Sequence, residues 1–225
     1  MTLFYEVLCP TEALYLESGC IPLGFIIQAR RIKYLHHLVT REKTGMLSKF
    51  FMAQWNFPSN RKEWTEQVKE DLQLFGLPKD LEWIKSKKKS TFKRIVNEKM
   101  NEVAFYSLMK KKEAHRKLGN LSYVRLEMQG YMKMGVLSIS EAKACFKFRT
   151  RMGLFWENFK NSKMKTLCPC CDDEVQDTQS HSFECKKLSK VVNISNQYED
   201  IFQTNISKSL GKSLENILKY RENYL

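Results

Sequence analysis

The sequence predicts a mostly α-helical protein, and three observations support this. Apolar residues recur at intervals of three and four along most of the chain, which is the spacing of amphipathic helices. The 225 residues include only 9 Gly and 5 Pro, too few for the frequent turns of a β-sandwich. Hydrophobic residues make up 43% of the chain, which is enough to build a core. We expect five to seven helices, with an irregular helical bundle over 1–165, a small metal-binding module over 166–188, and a polar linker with a C-terminal helix over 189–225.

The predicted helices follow one another with short breaks. Thr11 is expected to cap a short helix that ends before Gly19, and Pro22 stands at the first position of a longer helix that ends near Arg41. Further helices are predicted over 47–55, 63–75, 90–118, 140–159 (capped by Ser140) and 215–224, with a short turn over 81–85. The expected core residues are Ile26, Leu35, Trp64, Leu72, Phe92, Val96, Val103, Phe146 and Phe148.

The chain is strongly basic. Its 38 Lys and Arg outnumber 25 Asp and Glu, so the formal net charge is +13, which predicts a polyanionic partner, either nucleic acid or an anionic membrane face. No run of 18 apolar residues occurs, so we expect no membrane-spanning helix. Of the two polyanionic partners, we favour nucleic acid. Between residues 85 and 117, twelve Lys and Arg stand against three Glu. That segment is either a phosphate-binding surface, a solvated helix exterior or a nuclear-import run.

The strongest motif is a cluster of cysteines with one histidine. Four of the seven cysteines fall within 18 residues, which favours a metal site in a reducing compartment over a disulfide framework. Two residues separate Cys168 from Cys171, and three separate His181 from Cys185; both gaps are typical of zinc ligands. We expect these four residues to bind one structural Zn²⁺ and leave Cys170 free, although Cys170 could replace either neighbour. The small core around the ion would consist of Leu167, Phe183 and Leu188.

Two groups of basic residues are candidate nucleic-acid contacts. The first group lies at the start of the predicted helix over 90–118 and consists of Lys87, Lys88, Lys89, Lys93 and Arg94. The second flanks the Cys/His cluster and consists of Arg149, Arg151, Lys163, Lys165, Lys186 and Lys187. Cations of this kind bind phosphates and set affinity. Aromatic residues beside them, such as Trp156 and Phe183, either stack on bases or belong to the core.

Patterns of catalytic residues do not occur in the sequence. It contains no Gly-rich phosphate loop, no Gly-x-Ser-x-Gly and no His-Glu-x-x-His motif. The only Asp-Asp pair, Asp172-Asp173, lies between the predicted metal ligands. A closed site with four protein ligands leaves no position for a reactive water, so catalytic zinc is not expected. We therefore expect neither an enzyme nor a small-molecule substrate.

Several segments resemble the tail of a non-LTR (LINE-type) retrotransposon reverse transcriptase. They are the stretch from Thr11 to Leu23, the run Ile26-Ile27-Gln28-Ala29-Arg30-Arg31-Ile32, and Phe148-Arg149-Thr150-Arg151-Met152 followed by the Cys/His cluster. The resemblance extends to about Leu188. In that family, the polymerase is followed by a helical region and a Cys-Cys-His-Cys knuckle. Two departures stand out: Phe148 occupies an expected leucine position, and the upstream Tyr-x-Asp-Asp loop is absent.

The resemblance implies binding of template RNA or target DNA during target-primed reverse transcription. The chain would then be a non-catalytic C-terminal fragment located in the nucleus or cytoplasm, with nucleic acid and a polymerase core as partners. The alternative is a helical interaction module whose knuckle docks a protein partner. A salt titration separates the two hypotheses, because phosphate-driven binding weakens steeply as salt rises.

Overall fold

The computed structural model describes residues 10–40, 45–57, 63–158, 167–171, 174–192, 198–203 and 205–223. These residues are mostly helical, as predicted. Ten α-helices occur in the described ranges, more than the five to seven expected: α1 Thr11–Ser18, α2 Leu23–Thr40, α3 Met46–Asn56, α4 Trp64–Leu74, α5 Leu81–Ser86, α6 Lys89–Glu113, α7 Ile139–Arg149, α8 His181–Glu184, α9 Lys186–Val191 and α10 Lys208–Glu222. None of these helices has the length and apolar character needed to cross a membrane.

The chain forms two compact units that differ from the predicted division. The central unit consists of Ile21–Ser107, and the split unit combines Met1–Cys20 with Leu108–Leu225. The segment with the Cys/His cluster and the C-terminal helix belong to the same unit as α7. The reason is that α10 packs along α7, so that the two helices and the Cys/His segment share one core.

The central unit has an apolar helical core. Helix α2 contacts α3, α4 and α5. Its inward face carries Ala29, Ile32 and Leu35, and the first half of α6 contributes Phe92, Val96 and Met100 at intervals of four residues. Of the residues predicted for this core, Leu35, Leu72, Phe92 and Val96 are buried, while Ile26, Trp64 and Val103 are half-buried against the core. At the edge of the core, Arg31 Nε and Nη2 donate to the Asp71 carboxylate at 2.7 and 2.9 Å.

The split unit is built around α7 and α10. Phe148 and Leu214 are fully buried between them, and Phe146 is half-buried, so both aromatic residues predicted here belong to a core. Gly211 lies where α10 approaches Leu137, because a Cβ at this position would stand 3.0 Å from the Leu137 methyl groups. Gly19, after α1, has φ +69°, and a Cβ there would stand 2.3 Å from the Met128 amide nitrogen. Glycine is therefore required at residue 19 for both conformation and space.

Helix α7 differs most from its prediction. It ends at Arg149 rather than near 159, because Arg151 adopts a left-handed backbone with φ 52° that stops the helix. Its cap is Ser138 rather than Ser140: the Ser138 hydroxyl accepts from the Glu141 amide, and the Glu141 carboxylate accepts from the Ser138 amide at 2.7 Å. This arrangement is a capping box. At the first helix, Pro10 rather than Thr11 occupies the cap position.

Candidate metal centre

The four predicted metal ligands come from a turn and a short helix. Within the described residues, the only β-type pairing is an isolated antiparallel bridge between Leu167 and Gln176, next to which the Cys168 amide donates to the Val175 carbonyl at 2.8 Å. The turn that follows carries Cys168 and Cys171. Helix α8 begins at His181, and Cys185 follows its last residue. All four predicted ligands thus come from a segment of fewer than twenty residues, two from its turn and two from the ends of its short helix.

The ligand atoms of Cys168, Cys171, His181 and Cys185 converge. All four atoms lie within 4.8 Å of one another, and the Cys171 Sγ stands 3.3 Å from the His181 Nε2. Tetrahedral zinc with ordinary bond lengths holds its sulfur and nitrogen ligands about 3.5–3.8 Å apart. Cys168 and Cys185 are buried, His181 is 9% exposed, and Cys171 is half-buried. Three thiols and one imidazole at these distances could hold a single metal ion.

Cys170 lies beside the cluster but outside the ligand set. It is 1% exposed and hydrogen-bonded to Cys168, and burial raises the pKa of its thiol to about 12. Its sulfur does not belong to the group of atoms that converge within 4.8 Å. Among the described residues, the geometry therefore favours the predicted pair, Cys168 with Cys171, over an alternative that uses Cys170.

The segment that carries the four candidate ligands is anchored to the rest of the split unit. The Arg221 guanidinium in α10 donates to both oxygens of Asp177 at 2.8 Å, and it stacks over Phe155 with 4.2 Å between the guanidinium carbon and the ring centre. The side-chain amide of Gln179 donates a hydrogen bond to the Phe148 carbonyl at 2.9 Å. The segment was predicted to form its own small core. Leu188 is indeed buried, but Leu167 is 51% exposed, and the segment packs into the core of α7 and α10.

Arg149 is a correction to the predicted nucleic-acid surface. Its side chain is 1% exposed and pairs with the buried Glu17 carboxylate at 3.0 Å, and its Nη1 donates to the carbonyls of Ile201 and Gln203. Burial alone would lower the pKa of Arg149, but the Glu17 carboxylate raises it above its ordinary value. Because this guanidinium is enclosed by the protein, a phosphate cannot reach it. Arg149 therefore belongs to the core of the split unit.

The network around Arg149 contains residues that the sequence reading missed. The hydroxyls of Tyr123 and Tyr131 donate to the Glu17 carboxylate, Tyr131 at 2.6 Å. Burial, with the nearby Glu17 charge, raises the pKa of both tyrosines, so they remain neutral donors. A sequence signal did exist: Glu17 shares a helix face with the buried Ala13, and a charged residue on an apolar face requires a buried partner.

The other predicted contacts near the Cys/His cluster differ in exposure, and some lie outside the described residues. Lys186 is exposed, and Lys187 and Arg151 are half-buried. Phe183 packs edge-on against Phe148 and Tyr198, with ring centres 6.2 and 5.7 Å apart, so it serves the core rather than a stacking surface. Lys163, Lys165, Asp172 and Asp173 lie outside the described residues.

The first group of predicted contacts lies in the central unit. Lys88, Lys89, Lys93 and Arg94 are exposed, while Lys87 is half-buried with its ammonium 5.3 Å from the Trp83 ring centre. Arg94 pairs with Glu98 one turn later on α6 at 2.8 Å, which is an exposed ion pair of small energetic weight. These five residues bracket the start of α6 and keep their cationic groups at the surface.

Comparisons with known proteins add no family to this description: no protein-family model, no curated protein and no solved structure matches the chain.

Proposed function

We propose that the chain is a non-catalytic nucleic-acid-binding unit stabilised by one structural zinc ion, of the type found at the C-terminus of non-LTR retrotransposon reverse transcriptases. The observation that carries the proposal is the exposed group of cations at Lys88, Lys89, Lys93 and Arg94, in a chain of net charge +13. Such a group attracts the phosphate backbone of RNA or DNA without reading its sequence.

The choice of zinc rests on the donor set. Three thiols and one imidazole match structural zinc sites, and soft sulfur ligands disfavour Mg²⁺ and Ca²⁺. The role of the ion is structural, because four protein ligands complete a tetrahedron. Cys168, Cys171, His181 and Cys185 would hold it, and in doing so they would fasten the segment that carries Asp177 and Gln179 to α7 and α10.

A salt titration with matched variants tests nucleic-acid binding. Replacement of Lys87, Lys88 and Lys89 by Ala is expected to weaken binding of RNA and DNA alike and to flatten the slope of log K against log salt by about 3. A control variant with Lys133, Lys143 and Lys212 replaced by Ala loses the same charge from exposed positions on other elements. Equal affinities and slopes for the wild type and the first variant would refute the assignment of this surface.

A second candidate function, docking of a protein partner, is favoured by the apolar exposure of α3. Met46, Leu47 and Phe50 are 84%, 61% and 67% exposed, and Phe57 just beyond the helix is 78% exposed. Exposed apolar residues that cluster on one element are typical of interaction surfaces. The salt titration separates the two functions, since a chain that binds no nucleic acid at any salt concentration would leave this surface as the better candidate.

A further inference from the structure

The backbone at Arg151 is held in a conformation that suits glycine. Helix α7 ends in a Schellman motif: the Met152 amide donates to the Lys147 carbonyl at 2.7 Å, and the Arg151 amide donates to the Phe148 carbonyl at 3.2 Å. The left-handed residue of this motif is usually glycine, because a Cβ is strained there. Among the described residues, Arg151 is the only non-glycine residue with positive φ, at 52°. Backbone strain that is retained at one residue suggests a functional role for its side chain.

Arg151 lines a cavity of about 230 Å³ in the split unit. Arg116 and Lys117, from the short turn Arg116–Leu118, line the same cavity, as do His115 and Glu157. Three basic side chains thus stand against one carboxylate. One oxygen of that carboxylate already accepts from the Gln179 amide at 2.7 Å. The cavity has an excess of positive charge and is concave, unlike the open surface at the start of α6.

The His115 ring adds a nitrogen donor. Its Nδ1 accepts from the Lys117 backbone amide at 3.4 Å. An amide nitrogen can only donate, so Nδ1 carries no proton in this arrangement, and a neutral ring has its proton on Nε2. Arg151 also hydrogen-bonds the Tyr198 hydroxyl, which is a structural role that any test must separate from ligand binding.

We propose that this cavity binds one phosphate group of a nucleic-acid chain. Guanidinium groups match the geometry of phosphate oxygens, and an ammonium and an imidazole N–H supply further donors. The inference rests on the proposed nucleic-acid binding and adds to it a fixed anchor point within the split unit. The phosphate belongs either to a chain end or to the backbone, and both present non-bridging oxygens that accept hydrogen bonds.

The test compares variants of the full chain by fluorescence titration with two short single-stranded oligonucleotides, one 5′-phosphorylated and one 5′-hydroxyl. Arg151→Gly removes the guanidinium and relieves the strained backbone, and Arg116→Ala removes a second cation. Each is expected to weaken binding by about tenfold, the effect of one charge-assisted hydrogen bond. Arg151→Gly should not lower the melting temperature, because the relieved strain offsets the lost contact with Tyr198.

Two controls and a second probe complete the design. Tyr198→Phe removes only the hydrogen bond to Arg151 and should bind like the wild type, as should Arg125→Ala, which loses an exposed cation elsewhere in the split unit. A terminal phosphate is indicated if only the phosphorylated oligonucleotide loses affinity in Arg151→Gly, and a backbone phosphate if both do. Inorganic phosphate, followed by amide shifts in isotope-labelled protein, should perturb residues 115–117 and 151.

The outcomes distinguish this inference from the proposed function. Oligonucleotide binding that is unchanged in both Arg151→Gly and Arg116→Ala overturns the inference and leaves nucleic-acid binding in place. A chain that binds no oligonucleotide but shows phosphate shifts at 115–117 and 151 supports the cavity as an anion site and refutes the proposed function. Absence of both effects overturns the two together.

Discussion

The two units of the molecule are stabilised by different means. The central unit buries an apolar core that helices supply at regular spacing, and its principal ion pair joins the buried Asp71 to Arg31, whose side chain is 27% exposed. The split unit combines an apolar core with two buried ion pairs, Glu17–Arg149 and Asp177–Arg221, and with the Cys/His cluster. Apolar packing tolerates small changes, whereas a buried charge that loses its partner is costly. The split unit should therefore be the more sensitive of the two to single changes.

Loss of the metal is expected to have the largest effect. Cys185→Ser removes a fully buried ligand, and structural zinc sites contribute on the order of 10–16 kcal/mol in small peptides. We expect elemental analysis to find one zinc ion in the wild-type chain and none in the variant, with a large loss of near-ultraviolet circular dichroism. Cys170→Ser is the matched control and should retain zinc. A zinc-replete Cys185→Ser variant would contradict the ligand assignment.

Arg149→Ala should cost the next largest amount, about 3–5 kcal/mol of unfolding free energy, because it leaves the Glu17 carboxylate buried without its cation. Denaturant unfolding measures this loss. Combining Arg149→Met with Glu17→Gln should recover part of it, since the new amide accepts from one tyrosine hydroxyl through its oxygen and donates to the other tyrosine oxygen through its nitrogen. The control is Arg125→Ala at an exposed position. An unfolding free energy for Arg149→Ala that equals that of Arg125→Ala would show that Arg149 is solvated after all.

A core change in the central unit tests the other half of the comparison. Leu72→Ala removes a fully buried side chain from α4 and should cost about 2–5 kcal/mol. Zinc content should stay at one ion per chain, because the ligands belong to the split unit. Leu74→Ala, on the same helix with a side chain 47% exposed, should cost much less. Loss of zinc in Leu72→Ala would show that the stability of the metal site depends on the central unit.

The smallest expected effect concerns the start of α7. Ser138→Ala breaks the capping box and should lower the unfolding free energy by about 1 kcal/mol. Ser140→Ala, two residues later, should cost less, because the amide of Glu141 bonds to Ser138. The Ser140 hydroxyl bonds instead to the side chains of Ser138 and Glu215. Chemical denaturation of the two variants side by side measures the difference. A larger loss for Ser140→Ala would show that Ser140 is the cap.

Local patterns in the sequence predicted much of this molecule. Amphipathic spacing located α2, α4 and α6 within a few residues of their observed bounds, and the ligand spacing identified the four residues whose ligand atoms converge. Both features depend on neighbours in the chain, which a single sequence displays. The sequence also displays the Ser138-Ile-Ser-Glu141 pattern of a capping box, which places the cap two residues before the predicted Ser140.

Features that depend on distant residues were not predictable in the same way. The left-handed backbone at Arg151 stops α7 although the sequence there carries no Gly or Pro until residue 153. Arg149 looks like a surface cation until Glu17, 132 residues away in sequence, is found beside it. The grouping of α1 with residues after 120 depends on distant contacts in the same way, since Glu17 accepts from the Tyr131 hydroxyl. Ion pairs between residues far apart in the chain are difficult to predict from a single sequence.

Hydrogen exchange with and without a chelator tests the central claim most directly, namely that the metal stabilises the split unit and not the central one. The full chain would be followed by mass spectrometry at the level of individual helices. We predict that chelation removes the protection of α7 and α10 and leaves that of α4 unchanged. Retained protection of α7 and α10 after complete removal of the metal, or equal loss in α4, would contradict the account.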